Sequence, residues 1–194
     1  MSVVATVITE NAIYLGADSA VTYGEHTQIS HPSSKVFVEG DIIVGGVGDP
    51  DHVTLFRTFL QENPPQEPTL IELVEMFQDF RQYVSDHGTS IQDQVGNYKS
   101  QFHLIMNGTA WVIDGYFIRQ IESYEAVGEG EDYARSALYL GHDIVDALDV
   151  ACKFNIFCEY PLWIYRVTDD DITLNKIDYR TNNITRPIGV VNNT

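Results

Sequence analysis

The order of periodicities along the chain predicts an α+β protein in four layers, with two antiparallel sheets stacked face to face and a helix pair on each outer surface. Three observations lead there. Strand-like stretches come first, followed by two helical stretches, more strands, two more helices and closing strands, which is segregation rather than the alternation of a parallel sheet. The dipeptides Asn107-Gly108 and Asp114-Gly115 separate short apolar runs and favour tight antiparallel hairpins. The helical stretches carry apolar residues at helical spacing, so each needs a sheet to cover.

The elements follow in order. Val3 to Thr9 is rich in β-branched residues, Glu10-Asn11 punctuates it, and Ala12 to Ala17 resumes the apolar run as the second arm of a hairpin. Lys35 to Val38 and Ile42 to Val44 form a second pair around Glu39-Gly40-Asp41, the latter strand running into Gly45, Gly46 and Gly48. Between Asp49 and Glu62, residues Val53, Leu55, Phe56, Phe59 and Leu60 recur at helical spacing, with Asp49 or Asp51 as cap. A loop with Pro64, Pro65 and Pro68 ends that helix. Thr69-Leu70-Ile71-Glu72 is a capping box for a second helix reaching about His87. After a polar loop over 88–100, strands are expected at Phe102 to Met106, Thr109 to Ile113 and Tyr116 to Gln120. Gly128-Glu129-Gly130 bends the chain into a helix from Asp132 to Leu140, and Asp143 caps another through about Phe154. Strands at Leu162 to Val167 and Ile172 to Ile177 close the chain around Asp169-Asp170-Asp171.

Length and composition bound the function. A chain of 194 residues, 44% hydrophobic, is expected to form one domain over 1–194 with a substantial core. Its net charge of −17, with no cluster of Lys and Arg, argues against nucleic acid and membrane surfaces as partners, since both attract concentrated positive charge. The first residues alternate like a strand and lack the basic start of a signal peptide, and no apolar run reaches spanning length, so a cytoplasmic protein is expected. Cys152 and Cys158 lack neighbours at metal-ligand spacing and read as reduced, packed thiols. The chain holds four lysines, Lys35, Lys99, Lys153 and Lys176, which makes the role of each a pointed question.

Several motifs read as structure. Asp169-Asp170-Asp171 lacks the spaced ligands of a calcium loop and fits a solvated turn. His142-Asp143 fits a helix cap, and Gly45-Gly46-Val47-Gly48 is followed by Asp49 rather than a phosphate-binding Lys. No metal and no cofactor are expected.

The amino terminus is different. Removal of Met1 would leave Ser2 with a free α-amine, whose ordinary pKa of about 7.7–8.0 suits it to take the proton of its own hydroxyl. One residue would then act as nucleophile and base together.

Other segments fit that chemistry. Gly16-Ala17-Asp18-Ser19, Lys35-Val36-Phe37, Gly45 to Gly48 ahead of Thr54-Leu55-Phe56, and Val127-Gly128-Glu129-Gly130-Glu131-Asp132-Tyr133-Ala134 together resemble the proteasome β-subunit family of N-terminal nucleophile hydrolases. The helix Asp146-Ala147-Leu148-Asp149-Val150-Ala151 resembles its ClpQ (HslV-type) branch, and the resemblance spans almost the whole chain. It implies the same αββα sandwich and a self-compartmentalising peptidase built as a homo-oligomer of stacked rings. It also implies peptide or unfolded protein as substrate and an ATP-dependent unfoldase as partner. By position, Ser2 matches the catalytic threonine, Asp18 the aspartate after the second strand and Lys35 the lysine, with the backbone N–H groups of Val47 or Gly48 as oxyanion donors. The chain departs from the family at Ser2, at Glu129, where the family carries a serine, and at Lys153, where it carries an aspartate; Glu129 and Lys153 are accessory positions that either compensate each other's charge or mark the loss of the accessory network. Two alternatives stand beside the peptidase: an inactive ring subunit that retains Met1, and an amidohydrolase acting on a small amide.

Overall fold

The computed structural model describes residues 2–23, 26–29 and 35–178, with side chains in the 20–29 hairpin only to Val21. One sheet has the order β10-β1-β2-β11-β12, built from Tyr124–Val127, Val4–Ile8, Ile13–Ala17, Leu162–Val167 and Ile172–Ile177. The other has the order β5-β6-β7-β8-β9, from Val36–Glu39, Ile42–Gly48, Ser100–Met106, Thr109–Asp114 and Phe117–Gln120. All these pairings are antiparallel. A separate hairpin pairs β3 (Ala20–Tyr23) with β4 (His26–Ile29).

Strand alternation divides the apolar residues among three buried layers, and that division makes the four-layer sandwich. Val4, Leu15, Val36, Ile43, Ile105 and Val112 lie between the sheets. Their chain neighbours Phe37, Val44 and Leu104 face α1 (Pro50–Glu62) and α2 (Leu70–Asp86). Ala5 and Leu162 face α3 (Glu131–Tyr139) and α4 (Ile144–Phe154). The layer under α1 and α2 is aromatic: Phe56 sits 4.3 Å from Phe102 and meets Phe80 edge-on at 4.8 Å, centroid to centroid. The layer under α3 and α4 is rich in alanine, with Ala5, Ala126, Ala134, Ala137, Ala147 and Ala151 letting the helices approach the sheet closely.

The expected four-layer architecture is therefore the observed one. Asp143 caps α4 through the Asp146 amide, and Asp49 caps α1 through the Asp51 amide. Two details differ. Thr69 caps α2 by accepting from the Glu72 amide, but the Glu72 carboxylate accepts from the amides of Gln66 and Glu67 rather than closing the reciprocal box. The Thr69 N–H is already bound to the Glu67 carbonyl, so the loop amides take its place. The strand β10 was not expected, because Glu125 interrupts its apolar pattern; in the fold that buried carboxylate is bound by Arg119 and Arg135.

One polar contact crosses the layer between the sheets: Thr6 Oγ1 of β1 lies 2.8 Å from His103 Nδ1 of β7. Burial, aided by the nearby Arg119 and Arg135 charges, pushes the His103 pKa down to about 3. The folded protein thus keeps His103 neutral at pH values where the unfolded chain, with a histidine near 6.5, binds a proton. Stability should fall as pH drops from 6.5 toward 3, with this residue contributing up to about 1.4 kcal/mol per pH unit. In urea titrations across pH 7 to 4, His103→Gln should flatten that dependence; an unchanged slope would assign the acid sensitivity to other groups.

Candidate active site

The residues singled out at the amino-terminal end of β1 converge on one carboxylate. Asp18 follows β2 directly, and its side chain is fully buried. Its Oδ1 accepts from the Val3 amide at 2.9 Å and from Lys35 Nζ at 2.7 Å. Its Oδ2 accepts from the amides of Ala20 at 2.9 Å and Glu159 at 3.0 Å. A buried carboxylate is costly unless paired and fully hydrogen-bonded, and four donors meet that need. Lys35 stands just before β5 with its side chain 6% exposed, so its charge is held inside the fold by Asp18.

Ser2 lies against the same centre. It is buried, and its hydroxyl donates to the Ala20 carbonyl at 3.4 Å. Its own carbonyl accepts from the Gly130 amide at 3.1 Å. The bend at 128–130 is fitted to this backbone: Gly128 has φ +96, and a Cβ there would come within 2.5 Å of the Ser2 carbonyl oxygen. Met1 lies outside the described residues, so retention or removal is a chemical question for the protein itself.

Val47 and Gly48 end β6, where the strand outruns its neighbour. Pairing with β5 stops at Val36↔Gly45, and the Gly46 amide donates to the Lys35 carbonyl at 2.8 Å. Strand alternation then turns the Val47 N–H toward β7 and the Gly48 N–H to the same side as that of Gly46, where β5 has ended. Gly48 has φ +104, and a Cβ there would lie 2.0 Å from the Lys99 carbonyl oxygen, so no other residue fits this corner. A groove of about 400 Å³ opens beside it, walled by Val47, Gly48, Lys99, Ser100, Glu129 and Asp132.

The accessory positions are arranged otherwise than their charges suggested. Glu129 lines the groove, and its backbone carbonyl accepts from Asn155 Nδ2. Lys153 is largely exposed and pairs with Asp149, one helical turn earlier, which helical spacing favours over the more distant Glu129. Tyr160 also donates to Asp149. The expected Glu129–Lys153 compensation is not among the ion pairs of the described residues.

Cys152 and Cys158 are free thiols near this centre. Burial first, and then the Asp18 charge, push both well above the ordinary thiol range, so neither is a thiolate nucleophile at neutral pH. Among the described residues no group of three His, Cys, Asp or Glu side chains is arranged to hold a metal ion.

No family model matches the chain, and no curated protein sequence does. Solved structures do. BPH from Thiobacillus denitrificans, in complex with epoxomicin, is 14% identical with a TM-score of 0.76, covering 86% of this chain and 98% of its own. HslV from Trypanosoma brucei is 17% identical with a TM-score of 0.64, covering 86% and 99% respectively. The Gly-1 mutant of Anbu from Hyphomicrobium sp. strain MC1 is 13% identical with a TM-score of 0.71, covering 94% and 89%. At such identities the likeness is one of fold: the chain has the four-layer αββα sandwich of BPH, HslV and Anbu.

The Asp18 centre predicts a hierarchy of stability. Asp18→Ala strands Lys35 and releases three backbone amides, and should cost about 3–5 kcal/mol in denaturant unfolding at pH 7. Lys35→Met leaves the carboxylate three amide donors and should cost less. A loss below about 1 kcal/mol for Asp18→Ala would mean that water satisfies these groups equally well.

Proposed function

We propose that the chain is a proteasome-like N-terminal nucleophile peptidase subunit, cleaving peptide bonds with the Ser2 hydroxyl. The observation that carries this is the shared oxygen of Asp18: one atom binds both the Lys35 ammonium and the amide of Val3, the residue next to Ser2. That shared contact supports a role for Lys35 as a fixed positive charge close to Ser2.

The chemistry runs through residues of this chain. With Met1 removed, the Ser2 α-amine takes the hydroxyl proton, and the Ser2 oxygen attacks the carbonyl carbon of the substrate amide. Lys35 lowers the energy of the developing alkoxide, and the Gly48 N–H, on the edge left open by β5, donates to the carbonyl oxygen as it becomes negative. The tetrahedral intermediate collapses as the α-ammonium returns its proton to the leaving amine, and the ester on Ser2 remains. Water, deprotonated by the same α-amine, attacks that ester and regenerates the hydroxyl. Serine in place of threonine lacks the methyl that restricts the side-chain rotamer, so the hydroxyl is less strongly pre-set. No cofactor enters any step.

A second reading is an inactive ring subunit that retains Met1, favoured by Lys153 turning to Asp149 rather than to Glu129. The mass of the intact purified protein separates the two. Loss of Met1, followed by one epoxomicin per chain attached at Ser2 and no attachment to Lys35→Ala, supports the peptidase. Quantitative retention of Met1 supports the inactive subunit, and labelling that survives Lys35→Ala would sink the role given to Lys35. Turnover of small amides without peptides would point to an amidohydrolase instead.

The site is proposed to sit inside stacked homo-oligomeric rings fed by an ATP-dependent unfoldase. The outer helix layer offers apolar contact surface: Tyr133 near the start of α3 stacks on Phe154 of α4 in the open, and Tyr139, Leu140 and Ile156 are exposed as well. With a charge of −17 per chain, assembly should strengthen as salt screens repulsion. Sedimentation velocity across ionic strength should show this; a monomer at every salt concentration would contradict ring formation.

A further inference from the structure

We infer that His52 and Ser100 are a positioning pair that holds the Gly48 amide in its donating orientation, an assignment that rests on the Ser2 peptidase reading. His52 lies in the first turn of α1 and is completely buried in the aromatic layer, next to Val53. Its Nδ1 is 3.1 Å from Ser100 Oγ, at the start of β7. Ser100 Oγ also accepts from the Asp49 amide at 3.1 Å, so its one hydrogen is free to go to His52 Nδ1. A directed chain results, from the Asp49 N–H through the Ser100 hydroxyl to a neutral imidazole. The Asp49 N–H leans on the Lys99 carbonyl as well, at 3.2 Å.

This chain closes one side of the peptide that matters. The Val47–Gly48 peptide is in register with Gln101 and Ser100 of β7 along one edge and is flanked by two further anchors. On one side the Gly46 amide is held by the Lys35 carbonyl, and on the other the Asp49 amide is held by Ser100 and, through it, His52. Gly48 between them has the conformational freedom of a glycine at φ +104, so the anchors rather than its own torsional preference fix which way its N–H points. The arrangement has a polar cost: the buried His52 Nε2 makes no hydrogen bond of good geometry among the described residues, with only the Ser90 backbone and, at 3.9 Å, an Asp49 carboxylate oxygen acting on the ring. An apolar side chain would avoid that cost, so packing alone does not account for a histidine here.

The test separates oxyanion stabilisation from nucleophile integrity. A peptide boronate forms a tetrahedral adduct whose oxygen needs the donor, whereas a peptide vinyl sulfone is attacked at carbon without an oxyanion at that place. His52→Leu keeps the volume and loses the bond; Ser100→Ala breaks the chain at its middle; His52→Asn restores an acceptor near the position of Nδ1. For His52→Leu and Ser100→Ala, kcat should fall about 10- to 100-fold with KM nearly constant, and boronate affinity should fall in parallel. Vinyl sulfone labelling of Ser2 should stay within about twofold, and His52→Asn should recover most of the loss. Equal losses with both probes would reduce the pair to a general structural role and overturn the assignment, as would losses with neither. If the unaltered protein reacts with neither probe, the Ser2 reading itself fails and takes this assignment with it.

Discussion

The structure turns on a single buried carboxylate. Asp18 binds Val3 just ahead of β1, Ala20 two residues beyond itself, Glu159 from the loop before β11, and the Lys35 ammonium. These groups come from four stretches of chain, so the carboxylate sets their relative positions as a metal ion would in other folds. The buried lysine is stable only because that charge is there, and the carboxylate is stable only because every donor is present. The path of the backbone beside Ser2 follows from the same contacts.

The layers around this centre do a different job. Apolar alternation in both sheets buries one face against the other sheet and one against a helix pair, which leaves only the sandwich ends for polar chemistry. At the amino-terminal end of β1, the Gly128–Gly130 bend closes over the Ser2 carbonyl and the end of β6 overhangs past β5. The strand ends thus gather the backbone next to Ser2, the Asp18 carboxylate and the Lys35 ammonium at one end of the sandwich, and a groove opens beside Gly48. The net charge of −17 gives Lys35 its significance: among the described residues every other Lys and Arg is exposed or half-buried, and this one is kept inside by a dedicated partner.

Much of this was legible in the sequence, because period-two and helical spacing, turn dipeptides and caps are local signals. They located the four helices and most strands to within a residue or two. They failed where a remote residue decides the outcome. No strand was expected around Glu125, whose burial depends on Arg119 and Arg135 folding onto it, and of the two readings of Lys153 the pairing with Glu129 gives way to Asp149, one helical turn away. At the site, Ser2, Asp18 and Lys35 were recognisable as side chains. The amides of Ala20 and Glu159 were not, since a backbone donor leaves no mark in residue identity. His52 and Ser100 escaped as well: 48 residues apart, they have no spacing to read.

Site-resolved amide hydrogen exchange tests the central claim most directly. If Asp18 unites these segments, the amides of Val3, Ala20 and Glu159 should be strongly protected and should lose protection together in Asp18→Ala, while amides in the middle of α2 keep theirs beyond the global loss of stability. Independent behaviour of the three amides, or protection that survives the substitution, would contradict the account.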